Sequence, residues 1–543
     1  MKNNECPVYA RPDYPETYGE LTDWAVNRVK NPETRVYFRM GDVGVTYAEF
    51  RRNVNKICNL LRDRGLRMGD HVALFLSSCL EYAYLFHALG KCGAIMCPIN
   101  PFVRGEPLKY ILKHSDAKYL ITSNDLFSEK ISKIISSINA LKLVFFTDKK
   151  KEIQGLDSAL FSDFAGYPEE FEKAPKVTGD DIQGVWYTSG TTGVPKGAVI
   201  TQKNYMYRVL YFKDYFRMTE TDVNYYVLPM YHVAYAVWGG PLAMAAGAEV
   251  VQVPWFSASN FWKEVVKYKA TMTFTTGTII PIILHQPVTE AELSGKNQLR
   301  LWIGWPVDDP KNVKERWPDI RFMEAYGTTE APVATIADYE MPEFGNAGPP
   351  TAYTDLKIID PKSGKESPAG QVGEIVYGHK LGHDYIVTEY YKDPQRTGEM
   401  IKNGYWYSGD LGMLDNKGRL KFADRLKDYL RVGGENVSSS VVEAVIRKHP
   451  SVMEAAIVEK KGKFGHDEIV AHVVPNEGKS IDPKEFFEFC NENMAYFMVP
   501  KYLVIQSELP KTSTLRIEKY KLREEGVTSE AFDRSDLGIV LRK

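Results

Sequence analysis

The chain has 543 residues, 44% of them hydrophobic, 25% charged and 12% aromatic, with a formal charge of −2. That length exceeds what one core supports, so two or more domains are expected, and the composition is that of a globular protein. With the charges balanced and the pI near 6.6, nothing points to nucleic acid or an anionic membrane as a partner.

The opening residues, MKNNECPVYARPDYPET, contain no apolar stretch, so no signal peptide is expected there. In AEFRRNVNKICNLLRDRG, Phe50, Val54, Ile57 and Leu61 fall on one helical face, and HVALFL then reads as a buried strand. The uncharged run between Asp222 and Glu249 is broken by Pro229, Gly239-Gly240 and Pro241, which predicts a buried, turn-rich segment and no membrane span. FWKEVVKYKATMTFTT and VEAVIRKHPSVMEAAIVEK repeat the order of helix and then strand. Such alternation predicts an α/β fold with largely parallel sheets. The hairpin NKGRLKFADR and the Gly-Gly turn of LKDYLRVGGENVSSS place a boundary near residue 425, dividing the chain into 1–425 and a small α/β domain at 426–543. Cys6, Cys58, Cys79, Cys92, Cys97 and Cys490 lack CxxC or CxxH spacing. They read as reduced thiols of a cytoplasmic protein, most of them in the core, with no disulfide or metal role.

One stretch stands out chemically. YTSGTTGVPKG, Tyr187 to Gly197, is too polar and glycine-rich for a core, and its hydroxyls, Lys196 and close-approaching backbone suit an oxyanion such as a phosphate chain. It is not the common P-loop, because Pro195-Lys196-Gly197 stands where Gly-Lys-Ser/Thr is needed. PMYHV ends an apolar strand with His232, EAYGTTE follows the strand IRFM, YWYSGDLG sets Asp410 in a turn, and FADRLKDYLRVGGE supplies Arg425 and Lys427. Taken singly, Asp410 also reads as a turn residue, Arg425 and Lys427 as solvated charges, His232 as a core histidine and YGTTE as a capped helix start.

In this order, with VTYAEF, LGKCGAIMCPINP and GEIVYG between them and LPKTSTLRIEK at the end, these segments resemble the adenylate-forming superfamily of acyl-CoA synthetases, peptide-synthetase adenylation domains and beetle luciferases. The stretch KYKLREEGVTSEAFDR further resembles the crotonobetaine/carnitine-CoA ligase group. The resemblance covers nearly the whole chain and implies a large N-terminal domain of layered α/β subdomains with a small mobile C-terminal α/β domain. It implies an AMP-forming acyl-CoA ligase that uses ATP, CoA, a carboxylic acid and Mg²⁺.

Carried over by position, Thr188, Ser189, Gly190, Thr191, Thr192, Gly193 and Lys196 would cradle the β- and γ-phosphates. Gly304, Trp305, Pro306 and Tyr326 would bracket adenine, within the wider ATP segment Glu324, Ala325, Gly327 and Thr328, with Thr329 near the α-phosphate. Glu330, with Thr191, would hold Mg²⁺, and Asp410 and Arg425 would take the ribose. Lys427 would be the hinge, and Val432, Gly433, Gly434 and Glu435 would line the pantetheine channel. His232, Tyr235, Trp238, Gly277 and Trp305 would surround the acyl group. Trp305, where relatives have a small residue, would shorten that pocket; with Tyr235 and Trp238 it could instead form an aromatic cage for a quaternary ammonium, and plain core packing also accounts for these rings.

Two departures bear on function. No acidic residue lies between Val233 and Ala248 to pair an amino-acid substrate's ammonium, which argues against the alternative of a stand-alone protein loading an amino acid onto a carrier. At the end, the family has Gly-Lys, whose lysine bridges substrate carboxylate and α-phosphate, and this chain has Leu515-Arg516. Arginine keeps the charge on a broad planar fork, so slowed adenylation is expected. A nucleotide-binding relative with impaired catalysis is the second alternative, and Lys511, Lys519 or Arg431 are the cations that could substitute.

Overall fold

A computed structural model describes residues 13–188, 195–276, 279–294, 297–304, 310–331, 333–380, 382, 385–387, 389–425, 428–432, 435–462, 467–512 and 517–541, with backbone alone at 425, 429, 431, 435 and 436. Chain compactness separates two units, Met1–Asp355 with Tyr377–Trp406, and Leu356–Val376 with Tyr407–Lys543.

The first unit is built on two sheets. In one, the strands run Asp157–Leu160, Leu143–Phe146, Tyr119–Thr122, His71–Phe75, Ile95–Pro98, Ile182–Thr188 and Lys196–Thr201. All neighbours are parallel except the last pair, which is antiparallel. The other runs Thr335–Ile336, Arg321–Tyr326, Leu301–Gly304, Met272–Phe274, Val223–Tyr226, Glu249–Gln252, Val36–Met40 and Val43–Thr46. It is parallel from Arg321–Tyr326 through Val36–Met40, with an antiparallel strand at each edge. Largely parallel α/β layers are therefore present, as helix–strand alternation requires.

The expected elements form where periodicity places them. Helix Tyr47–Asp63 is capped by Thr46, whose side chain accepts from the Glu49 amide. It buries Phe50, Val54, Ile57 and Leu61 completely. The uncharged run after Asp222 becomes two short helices, Ala234–Trp238 and Gly240–Ala246, joined at Gly239-Gly240. Among the described residues no helix is long and apolar enough to cross a membrane. Cys58, Cys92, Cys97 and Cys490 are buried, in keeping with a core role.

In the second unit, Val452–Lys461, Asp467–Pro475, Tyr502–Ile505 and Phe532–Asp533 form a mixed sheet, and only the Asp467–Pro475/Tyr502–Ile505 pair is parallel. Helices Ser439–Ile446 and Pro483–Asn493 bury Val442, Ile446, Phe486 and Phe487 with Ile457, Ala471 and Leu503. The compact division falls earlier than residue 425 for a local reason. Strand Leu420–Arg425 pairs with Tyr405–Leu414, and Asp424 accepts from the hydroxyls of Ser438 (3.2 Å) and Ser439 (2.7 Å) where helix Ser439–Ile446 begins. These bonds tie strand Leu420–Arg425, and its partner strand with it, to the start of that helix.

Candidate active site

The glycine-rich stretch connects two antiparallel strands, with Thr188 directly opposite Lys196. Ser189, Gly190, Thr191, Thr192 and Gly193 lie outside the described residues. So do Gly277, Trp305, Pro306, Lys427, Gly433, Gly434 and Arg516. Glycine is needed at 197 for space, since a Cβ there would stand 2.6 Å from Val185 Cγ1. Lys196 is half-buried, and burial, followed by the nearby Arg396 charge, lowers its pKa. Glu330, Asp393 and Glu399 act in the opposite sense. Its ammonium lies 5.5 Å from the centroid of Tyr390, whose hydroxyl donates to Glu330 Oε1 at 2.7 Å. Lys196 and Glu330, expected to serve phosphate and metal, are therefore brought together.

The chain reaches this arrangement through a segment that sequence reasoning passed over. Residues 389–391 lie along the strand after the loop. Val199 N donates to Glu389 O (3.1 Å), Tyr391 N to Gly197 O (2.7 Å) and Val387 N to Glu330 O (2.8 Å). Asp393 then caps helix Pro394–Met400 by accepting from Arg396 N. The segment is fastened from outside by Tyr391, whose hydroxyl donates to Asp116 at 2.7 Å, and by an ion pair between Lys392 and Asp116. Asp393-Pro394, a helix-start signal inside a polar stretch, was the only local hint.

EAYGTTE occupies the carboxyl end of strand Arg321–Tyr326, with Glu324 opposite Gly304 on its parallel neighbour. Carboxyl ends of parallel strands are where ligands of open α/β sheets bind. Glu324 is buried and accepts from Gly345 N at 3.1 Å. Ala325 and Tyr326 are buried too, Tyr326 edge-on to Tyr377 with centroids 6.1 Å apart. Past the partly exposed Gly327, the turn is held by Ala331 N donating to Thr328 Oγ1 (3.3 Å) and by Tyr205 donating to Thr329 O (2.6 Å). Among the described residues no group of three or more His, Cys, Asp or Glu side chains could hold a metal alone. A single carboxylate beside a phosphate site suits Mg²⁺, which takes much of its shell from phosphate and water.

His232 stands half-buried at a turn closed by its amide and Pro229 O, and its Nδ1 accepts from Ala234 N at 3.2 Å. That bond assigns the proton of the neutral ring to Nε2. Tyr235 and Trp238, three residues apart on one short helix, are both buried. Trp238 packs on Phe212 (4.6 Å), Phe216 (5.3 Å) and Phe274 (4.9 Å, nearly parallel). Tyr235 meets Phe86, Tyr226 and Tyr82. The two rings belong to a continuous aromatic wall.

In the second unit, Asp410 and Arg425 are register partners across two antiparallel strands. The turn expected at Asp410 is not formed: the residue is buried inside strand Tyr405–Leu414, after Gly409 with its φ of +68°, and its amide donates to Ser408 Oγ. Val432 opposite Glu435 closes the Gly433-Gly434 connection, anchored by buried Leu430 and Val437. A bridge between Lys511 and Ile517, with Glu518 N donating to Pro510 O, brackets the stretch holding Arg516. Lys511 is paired with Glu454 at 2.5 Å and Lys519 with Glu443 at 2.7 Å, so two of the cations that could stand in for Arg516 are held by local carboxylates.

Two α/β units, with a glycine-rich hairpin connection and an acidic turn at strand ends of the first, suit a nucleotide-dependent enzyme. The fold matches ATP-bound MatB from Rhodopseudomonas palustris (TM-score 0.82, 25% identity, 93% of this chain and 98% of that one). It also matches the anthranilate CoA ligase AuaEII in complex with anthranoyl-AMP (TM-score 0.85, 23% identity, 95% and 98%). Residues 24–391 match the AMP-binding enzyme family and residues 441–515 its C-terminal domain. The chain belongs to the AMP-binding enzymes, as an acyl-CoA ligase of the adenylate-forming, acid–thiol ligase type. Crotonobetaine/carnitine–CoA ligases of Escherichia coli O7:K1 and Shigella dysenteriae serotype 1 are each 32% identical to it over 485 residues, covering 88% of this chain and 93% of theirs.

Proposed function

We propose that this protein activates a short- or medium-chain carboxylic acid in the cytoplasm, as an acyl-adenylate formed from ATP with release of pyrophosphate, and transfers the acyl group to CoA. The observation that carries this reading is the meeting of Lys196, Glu330 and Arg396 around Tyr390 at the base of the phosphate loop. Two anions must meet when a carboxylate attacks the α-phosphorus, so the protein's work is positioning and charge neutralisation. Lys196 and the loop from Thr188 to Gly193 take the β- and γ-phosphates, Tyr326 with Gly304, Trp305 and Pro306 the adenine, and Thr329 the α-phosphate side. Glu330 with Thr191 would hold Mg²⁺, which supplies further neutralisation of phosphate charge. Asp410 and Arg425 take the ribose, and Arg516 faces the carboxylate during adenylation.

The segment from about residue 426, turning at Lys427, closes for each half-reaction in turn, with Val432 to Glu435 along the pantetheine. Closing over the adenylate keeps water from it. His232 orients the acid, and the aromatic wall at Tyr235 and Trp238, with Gly277 and Trp305, keeps its pocket short. The relatives named for crotonobetaine and carnitine support a small acid over a long-chain one. A panel of acids in a pyrophosphate-release assay with and without CoA tests the reading, and CoA-dependent turnover confined to long-chain acids or to amino acids would refute it. Limited proteolysis tests the hinge, whose first cut should fall between residues 415 and 435.

A further inference from the structure

A glutamate that holds a metal must be held itself, because its three side-chain torsions otherwise spread the carboxylate over many positions. Glu330 is gripped from 60 residues further along the chain, where the Tyr390 hydroxyl donates to Oε1 at 2.7 Å. That bond leaves Oε2 for another partner. Tyr390 is only 3% exposed. It bridges Ala198 on the strand after the phosphate loop, and its amide donates to Thr397 Oγ1 at 2.9 Å. Its ring lies 5.5 Å from the Lys196 ammonium, within reach of cation–π attraction.

We propose that Tyr390 is a positioning residue for adenylation: one rigid, buried side chain sets both the Glu330 carboxylate and the Lys196 ammonium toward the nucleotide's phosphates and their divalent cation. The proposal rests on the reading of Glu330 given above. Partners that orient metal-binding side chains matter nearly as much as the ligands, so losing this hydroxyl should weaken divalent-cation binding by about 10–100-fold. The neighbouring Tyr391 hydroxyl fastens the same segment to Asp116 and touches neither group.

The test is a titration of Mn²⁺ with ATP, free Mn²⁺ being read by electron paramagnetic resonance, on the full-length wild type, Tyr390→Phe, Tyr391→Phe, Glu330→Gln and the Tyr390→Phe/Glu330→Gln double variant. Tyr390→Phe should bind Mn²⁺ about 10–100-fold more weakly and Tyr391→Phe within about threefold of wild type. The double variant should bind no more weakly than Glu330→Gln, because the hydroxyl acts through that carboxylate. Thioester formation from supplied acyl-adenylate should be unchanged in Tyr390→Phe, which separates positioning from misfolding. Equal Mn²⁺ binding by wild type and Tyr390→Phe overturns the proposal. So does an equal loss in Tyr391→Phe, which would assign the effect to docking of the segment, or full additivity in the double variant. A wild type that binds no Mn²⁺ with ATP refutes the underlying reading of Glu330 and the proposal with it.

Discussion

Asp222 stands at the amino ends of three neighbouring parallel strands, just before Val223–Tyr226, and binds residues just before the other two. Arg300, ahead of Leu301–Gly304, donates to it twice, Nε to Oδ1 and Nη2 to Oδ2, both at 3.0 Å. Thr271, ahead of Met272–Phe274, donates at 2.7 Å, and Thr219 N at 2.9 Å. Burial pushes the carboxyl up, but the Arg300 fork and the threonine donors outweigh it, and the pKa falls below the usual carboxylate range. Asp222→Asn keeps the shape, removes the guanidinium's counter-charge while leaving its bonds to Phe216 O and Tyr339, and turns an acceptor into a donor. Breaking a buried pair costs about 3–5 kcal/mol. Arg300 is 34% exposed, and screening by water reduces the expected loss to about 2–4 kcal/mol. In a unit this large, with an unfolding entropy of about 2.1 cal/mol/K per residue, that is a fall of roughly 2.5–5 °C in Tm. Because the folded pKa is depressed, the stabilisation is complete above the unfolded value of about 4 and disappears as pH falls through the folded one. Thermal melts of wild type and variant should therefore differ by a constant gap from pH 8 to 5, narrowing only below about pH 4. The proposed site lies at the strands' other ends, so kcat at 25 °C should stay within about twofold of wild type. A Tm change under about 1 °C at pH 7, or a gap that closes near neutrality, would refute the reasoning.

Lys196→Met should slow pyrophosphate release by about 10²–10³-fold while thioester formation from supplied acyl-adenylate survives; equal losses in both steps would remove Lys196 from the phosphate role. For Arg516, Lys should speed and Ala should slow single-turnover acyl-AMP formation, by roughly 10²–10³-fold for alanine if this one cation carries the step, and an alanine variant equal to wild type moves the role elsewhere. Trp305→Gly should extend use to acids longer than about eight carbons, one buried CH₂ being worth about 0.8 kcal/mol; an unchanged chain-length profile counts against the shortened pocket.

The sequence determined the elements and the family, because both are local. Phe50, Val54, Ile57 and Leu61 share a helical face whatever else the chain does, and all four are fully buried. The composition of Tyr187–Gly197 marks its middle as a connection rather than a strand, and its described ends, Thr188 and Lys196, face each other on two antiparallel strands. The order of the motifs carried the rest of the assignment, and residues 24–391 and 441–515 match family models.

What local pattern could not reveal is which distant segments meet. Nothing in EYYKDPQR marks Tyr390 as the residue that grips Glu330, or Tyr391 as bound to Asp116, 275 positions away. Nothing local links Asp222, Thr271 and Arg300, and only the parallel crossovers bring them to one end of the sheet. The same limit applied to Tyr235 and Trp238: the sequence showed two aromatic residues in a buried, turn-rich run, but the wall formed with Phe212, Phe216 and Phe274 depends on tertiary packing. Periodicity is written into neighbouring residues, whereas contact between strands is fixed by chain crossovers and burial. The helices and the family were therefore decided in the sequence, and the grip on Glu330 by tertiary structure alone.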